Sequence, residues 1–147
     1  MKITIIFILV LGLTFAFGQW LGTKTNSNSI VKTLNVSSCD PTKNTCEIEY
    51  NKTIFILEFK GTASGLVPFE VLVKSNNTQP DSIELSFDMQ GMDMGYNVYN
   101  LKKNRAGWSA VVILPVCSLG RSDWLMRVKL LFENESYVTE FKFTQPE

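Results

Sequence analysis

Histidine is absent from this chain of 147 residues, and its absence excludes several kinds of site. Without histidine there is no Ser-His-Asp or Cys-His catalytic arrangement. The blue-copper site with two histidines and a cysteine is excluded, as are the usual histidine-bearing zinc sites. No phosphate-binding loop or activated nucleophile is evident either, so the sequence predicts a protein that is not an enzyme. Any bound ion would be held by sulfur or by carboxylate oxygen.

An excess of charge of one sign is also absent, since 14 basic residues balance 14 acidic ones. No basic field attracts phosphates, so the composition argues against nucleic acid as a partner. Helical patterns are lacking after the N-terminal segment, whereas ten phenylalanines, four tyrosines and three tryptophans favour strands. The length fits one domain.

Short apolar runs bounded by turn residues predict the strands. In one of them Ile83, Leu85 and Phe87 alternate with polar residues, which is typical of a half-buried strand. The nine predicted strands cover residues 30–36, 45–50, 54–60, 67–74, 82–88, 96–101, 108–114, 124–132 and 137–143. Residues 30–147 are therefore predicted to form an all-β, antiparallel β-sandwich of immunoglobulin-like type.

The N-terminal segment 1–22 contains an uncharged stretch, residues 3–22, which approaches the roughly 20 apolar residues that a membrane-spanning helix needs. Two interpretations remain open. The small residues Ala16 and Gly18 suit a signal-peptidase site, or the segment is retained as a membrane anchor. In both cases the domain is exported, and the polar residues 23–29 read as a flexible tether.

Three methionines, Met89, Met92 and Met94, lie within six residues between two predicted strands. Their soft, neutral thioethers suit Cu(I) and suit magnesium, calcium or zinc poorly. Gly91 and Gly95 permit a bent backbone, and the spacing fits neither a strand face nor a helical stripe. The run is thus predicted to be a loop that binds Cu(I). The alternatives are methionines that fill gaps in the core or form an adaptable contact surface.

Cys39 and Cys46 bracket a turn-forming run, and in an oxidising compartment they most simply form a disulfide. Closing this short loop would contribute roughly 2–3 kcal/mol. The alternative is a thiol pair that binds Cu(I) or exchanges redox state. Cys117 is left over as a candidate reactive thiol.

Successive connections in an antiparallel sandwich alternate between its two ends. Counted this way, the loops 39–46, 61–66, 89–95 and 115–123 share one end, which brings the methionines and all three cysteines together. Cys117 then becomes a candidate fourth metal ligand. The polar partners expected at this end are Asp88, Asp93 and Asp123, and Met126 is expected just beneath it.

A family resemblance rests on residues 87–95, on Gly107-Trp108 and on residues 114–117. These segments resemble small exported bacterial proteins of the YtkA-like kind, and the outline is similar to anchored FixH-type proteins linked to cytochrome oxidase assembly. The resemblance implies an immunoglobulin-like domain concerned with copper handling or oxidase maturation, with Met89, Met92 and Met94 as its copper residues. Copper chaperones of related plan mix histidine with methionine, so this chain is expected to take Cu(I) and not Cu(II).

Two hypotheses of function follow. The first is a membrane-tethered protein on the periplasmic side of the inner membrane, which binds Cu(I) and passes it to an acceptor protein of a respiratory enzyme; a tether would raise the effective concentration of that partner. The second is a non-metal interaction or assembly module that uses an apolar, methionine-rich end.

Overall fold

The computed structural model describes residues 30–33, 36–92, 94–133 and 135–146, with side chains from residue 36 onward. The predicted N-terminal helix within segment 1–22, the tether 23–29 and Asp93 lie outside the described residues. Within the described ranges no helix has the length and apolarity to span a membrane. The strands are β1 (Ile30–Thr33), β2 (Cys46–Tyr50), β3 (Thr53–Lys60), β4 (Phe69–Ser75), β5 (Ser82–Asp88), β6 (Val98–Asn100), β7 (Lys102–Asn104), β8 (Gly107–Val112), β9 (Asp123–Phe132) and β10 (Glu135–Thr144).

The strands form two sheets of five, with the orders β1-β10-β9-β5-β6 and β2-β3-β4-β8-β7. The described part of the chain is all-β, as predicted. Every pairing between named strands is antiparallel except that of β1 with β10, which is parallel. The expectation of an entirely antiparallel arrangement is therefore wrong at β1. No hairpin joins β1 to its neighbour, because the chain between them makes up most of the domain, so turn geometry does not impose an antiparallel direction.

Alternating side chains build a core that both sheets share. Ile83, Leu85 and Phe87 of β5 are buried, while the residues between them are partly exposed. The sheets contact each other through aromatic pairs. The ring centroids of Phe59 in β3 and Phe143 in β10 are 5.6 Å apart. The sequence alternation thus places one face of each sheet on a common hydrophobic interior.

Strand β7 is not among the predicted strands, which leave residues 102–107 as a connection between two of them. All three of its side chains are exposed, so it has no apolar alternation to reveal it. Its backbone nevertheless pairs with β8. The registers show β6 and β7 running in the same direction, with a crossing between sheets at Leu101. The missed strand therefore does not change which loops share an end.

The connections define two ends of the domain. The methionine pole is formed by residues 61–68, 89–97 and 113–122, which join β3 to β4, β5 to β6 and β8 to β9. The far pole is formed by the turns that join β2 to β3, β4 to β5, β7 to β8 and β9 to β10. At the far pole, Asn51 and Lys52 both have positive φ, as a two-residue type I′ hairpin requires.

Candidate functional site

The methionine run begins inside the core and leaves it by a tight turn. Met89 is only 2% exposed and continues the buried row of Ile83, Leu85 and Phe87 at a spacing of two. The backbone N–H of Met92 donates to the carbonyl of Met89 over 3.1 Å. Gly91, the third residue of this turn, has a φ of 75°, which a residue without Cβ adopts at little cost.

The burial of Met89 shows that the prediction of a loop without a strand face is wrong at this residue. The alternation of β5 extends one step beyond Asp88 and includes Met89. This favours a packing role for Met89, and its role as a metal ligand stays a prediction. Met92 and Met94 are partly buried and pack against the edge of the core.

Cys117 lies opposite the methionine turn, in the connection between β8 and β9. It is a free cysteine, 6% exposed, and its Sγ lies 3.5 Å from the Sδ of Met92. The two sulfurs come from residues 25 positions apart in the chain. The fold therefore brings one predicted thioether and the predicted thiol into direct contact.

Arg121 links the two connections that carry these sulfurs. Its Nη2 donates to the backbone carbonyl of Gln90 over 3.1 Å, and its Nε donates to Oδ1 of Asp123 over 2.8 Å. The hydrogen bonds from Arg121 hold the pKa of the Asp123 carboxyl below its usual value. The same pairing with Asp123 is the largest cause that raises the pKa of the guanidinium, to which the nearby Cys117 adds a smaller electrostatic contribution.

Two of the three carboxylates that were expected to assist the sulfurs are engaged elsewhere, and the third, Asp93, lies outside the described residues. Asp123 pairs with Arg121, and Asp88 pairs with Arg127, which also binds Glu140. Among the described residues, no three Cys, Asp or Glu side chains come together as a metal-binding group. Met126, expected just beneath the site, is fully buried in β9 as part of the core. Among the described residues, the candidate site is therefore built of sulfur.

The structure joins Cys39 to Cys46 in a disulfide, with their Cα atoms 5.8 Å apart. Cys46 is buried at the start of β2, so the bridge ties the preceding loop to the core. Asp40 of that loop and Gln90 of the methionine turn line the same cleft of about 460 Å³. The cysteine loop thus lies at the methionine pole, and the disulfide leaves Cys117 as the free thiol there.

The spacing of Met92 and Cys117 is close to what one shared ion would need. Metal–thiolate bonds of about 2.3 Å in a trigonal arrangement would put two sulfurs roughly 4 Å apart. The pair would have to open by only about half an ångström from its 3.5 Å separation. Gln90 and Gly91 beside the pair are exposed, so the sulfurs lie next to a solvent-facing turn. The residues therefore fit a soft ion in chemistry and in spacing.

Two features of this end were not predicted from the sequence. One is the Arg121 link, which depends on a contact between distant loops. The other is a set of exposed apolar side chains in the three connections of the methionine pole, namely Leu66, Val67, Tyr96, Ile113, Val116 and Leu119. A signal for the second was present, since residues 61–68 and 113–120 contain no charged residue.

Comparisons of the chain with models of protein families, with curated proteins and with solved structures find no match.

Proposed function

We propose that this chain binds Cu(I) at the methionine pole, with Cys117 and Met92 as the primary ligands and Met94 as a third. The observation that carries the proposal is the 3.5 Å contact between Cys117 Sγ and Met92 Sδ. A thiolate and thioethers are ligands that soft Cu(I) prefers. Cys117 would lose its proton on binding, because the thiolate and not the thiol is the metal ligand.

The site is suited to exchanging the ion and not only to storing it. Met92 and Met94 are partly exposed, and they belong to a connection that leaves the core through an exposed glycine turn. Among the described residues, the carboxylates of Asp88 and Asp123 are already paired with arginines. Sulfur ligands serve hard cations such as magnesium and calcium poorly.

We further propose the setting in which this binding operates. The uncharged segment 3–22 would direct the chain to, or hold it at, the periplasmic side of the inner membrane. Delivery or buffering of copper for a respiratory enzyme rests on the YtkA-like and FixH-type resemblance alone. The strand orders support an immunoglobulin-like sandwich: β3-β4-β8-β7 corresponds to strands A, B, E and D, and β10-β9-β5-β6 to G, F, C and C′.

An anaerobic Cu(I) titration against a competing chelator tests the binding proposal. We expect the Met89→Leu/Met92→Leu/Met94→Leu triple variant and Cys117→Ser each to lose most of the affinity, because leucine and serine offer no soft ligand. Met126→Leu is the matched control, since it makes the same chemical change at a fully buried core position. If the triple variant binds Cu(I) as tightly as the parent, the copper proposal fails.

The exposed apolar side chains favour a second candidate function, an interaction module that binds another protein through the methionine pole. Leucine is as apolar as methionine, so the triple leucine variant would keep such an interaction while losing copper. This difference separates the two functions in one variant.

A further inference from the structure

Arg121 lies where the two sulfur-bearing connections of the methionine pole meet. It belongs to the connection 113–122 and follows Cys117 by four residues. Its Nη2 donates over 3.1 Å to the backbone carbonyl of Gln90, which belongs to the connection 89–97. The guanidinium therefore joins the segment that carries the thiol to the turn that carries the thioethers.

The backbone around Cys117 is fixed to the body of the domain. The N–H of Gly120 donates to the carbonyl of Cys117 over 3.0 Å, which closes a tight turn. Just beyond this turn, the carbonyl of Ser122 accepts from the N–H of Gln145 over 2.9 Å, at the end of β10. The thiol and the arginine therefore stand on one anchored segment.

The turn that carries Met92 depends more on side-chain contacts. Its hydrogen bond from the N–H of Met92 to the carbonyl of Met89 is internal, and Gln90 at its tip is exposed. The turn meets the anchored segment through the 3.5 Å contact of Met92 with Cys117 and through the bond from Arg121. The second contact is the stronger one, because its donor is charged whereas a thiol is a weak donor.

Asp123 determines the direction in which the guanidinium points. It is the first residue of β9, and its Oδ1 accepts from Nε of Arg121 over 2.8 Å. The planar fork of an arginine can thus bind a carboxylate with one part and the Gln90 carbonyl with another. The ion pair is partly exposed, with side-chain exposures of 35% and 53%, so its effect is on local geometry more than on overall stability.

We propose that Arg121 is a positioning residue of the copper site, which holds Met92 at the distance from Cys117 where both sulfurs reach one Cu(I). The inference rests on the proposed Cu(I) site and names a residue that sets its affinity. Without the bond to Gln90, the turn would also adopt arrangements in which Met92 lies away from Cys117. The apparent affinity falls in proportion to the fraction of molecules that keep the two sulfurs together.

The test is an anaerobic Cu(I) titration of the full-length protein against a competing chelator, in mild detergent. We expect Arg121→Ala to raise the Cu(I) dissociation constant about two- to tenfold, as the loss of one hydrogen bond implies. Asp123→Ala should raise it less, and the double variant should match Arg121→Ala, because the carboxylate acts through the arginine. Arg105→Ala is the matched control, since it makes the same change at an exposed turn of the far pole.

A second comparison separates positioning from a general effect on the fold. In Met92→Leu/Met94→Leu the turn offers no thioether to position, so adding Arg121→Ala should leave the remaining Cu(I) affinity unchanged. An arginine that supports only the fold or the thiol would lower the affinity in this background as well. Urea unfolding of each variant checks that the domain stays folded.

The outcomes distinguish this inference from the copper proposal. Parental affinity in Arg121→Ala overturns the inference and leaves the copper site in place. An equal loss with and without the thioethers also overturns it, because the arginine then acts on something other than the methionine turn. A parent that does not bind Cu(I) overturns the proposed function, and the inference with it.

Discussion

Met89 and Met92 are three residues apart but occupy different surroundings. Met89 is buried in the row of β5, and Met92 lies at the surface of the core against Cys117. Since leucine nearly preserves the volume of methionine, we expect Met89→Leu to cost less than about 1.5 kcal/mol of stability. Its burial also leads us to expect a near-parental Cu(I) affinity, whereas Met92→Leu should lose most of that affinity.

Urea unfolding and the chelator competition measure the two quantities on the same pair of variants. Equal loss of copper affinity in Met89→Leu and Met92→Leu would show that Met89 is a ligand as well.

Tyr50 makes the stability of the domain depend on pH in the alkaline range. Its ring is buried, stacked 4.5 Å from that of Phe132, and its hydroxyl donates to Glu135. Burial is the largest cause that raises the pKa of Tyr50 well above its usual value, and the bond to Glu135 is the next. The folded protein therefore keeps this proton at a pH where the unfolded chain, with an ordinary tyrosine pKa near 10, releases it.

The stabilising contribution of Tyr50 is accordingly complete below about pH 10 and is lost as the pH rises further. We expect the free energy of unfolding of Tyr50→Phe to fall less steeply above about pH 10 than that of the parent. Urea unfolding at a series of pH values measures the slope. Tyr96→Phe, at a 90% exposed position, is the control and should keep the parental slope. An unchanged slope in Tyr50→Phe would contradict this account.

At the scale of elements, the methionine pole depends on a contact between two connections. Residues 89–97 join two strands of one sheet, whereas residues 113–122 cross from the other sheet to that one. Arg121 precedes β9 and reaches the turn that follows β5. Arg121→Ala should loosen this contact while changing overall stability little, because its ion pair with Asp123 is exposed. Cys117 is buried, and its thiol reacts only when the alkylating reagent reaches it. Because a looser contact exposes the thiol more often, we expect Arg121→Ala to speed the alkylation of Cys117 severalfold.

Alkylation followed by intact-mass measurement provides the rate. Arg105→Ala, at an exposed turn of the far pole, is the matched control and should react at the parental rate. A parental rate in Arg121→Ala as well would show that the arginine does not hold the two loops together.

The elements that the sequence predicted are those whose apolar residues alternate. Strand β5 has the same bounds in the prediction and in the structure, because apolar and polar residues alternate without a break from Ile83 to Asp88. Strand β7 could not be predicted, since its three exposed polar residues pair only through the backbone. The parallel direction of β1 was equally out of reach, because it depends on pairing with the last strand of the chain.

Some features of the candidate site could likewise be predicted from the sequence, and others could not. The grouping of the methionines with Cys117 followed from counting strands, which is a topological property that short errors in strand bounds do not disturb. The burial of Met89 and the engagement of Asp88 and Asp123 by arginines did not follow, because they depend on where one strand ends and on side-chain contacts between distant residues.

At the scale of the whole molecule, β1 and β10 determine where the chain enters and leaves the domain. The register of Ile30 with Glu135 puts the start of β1 at the far pole, and Thr144 ends β10 at the methionine pole. Whatever precedes Ile30 therefore joins the domain at the end opposite the sulfur pair. If that segment is held by a membrane, the methionine pole is directed away from the attachment point.

The parallel pairing of β1 with β10 also determines how the domain resists tension. Pulling on Ile30 and on Thr144 draws two neighbouring parallel strands in opposite directions along their own axis. Their bonds, with the added contact of Ser37 to Glu140, are then loaded in shear and have to fail together, whereas a hairpin pulled from its open end fails one bond at a time. In a single-molecule stretching experiment we expect a higher unfolding force between residues 30 and 144 than between residues 30 and 133, which both lie at the far pole; equal forces would contradict this. A domain that is attached at one end and bound by a partner at the other would thus resist unfolding when it is pulled between those two points.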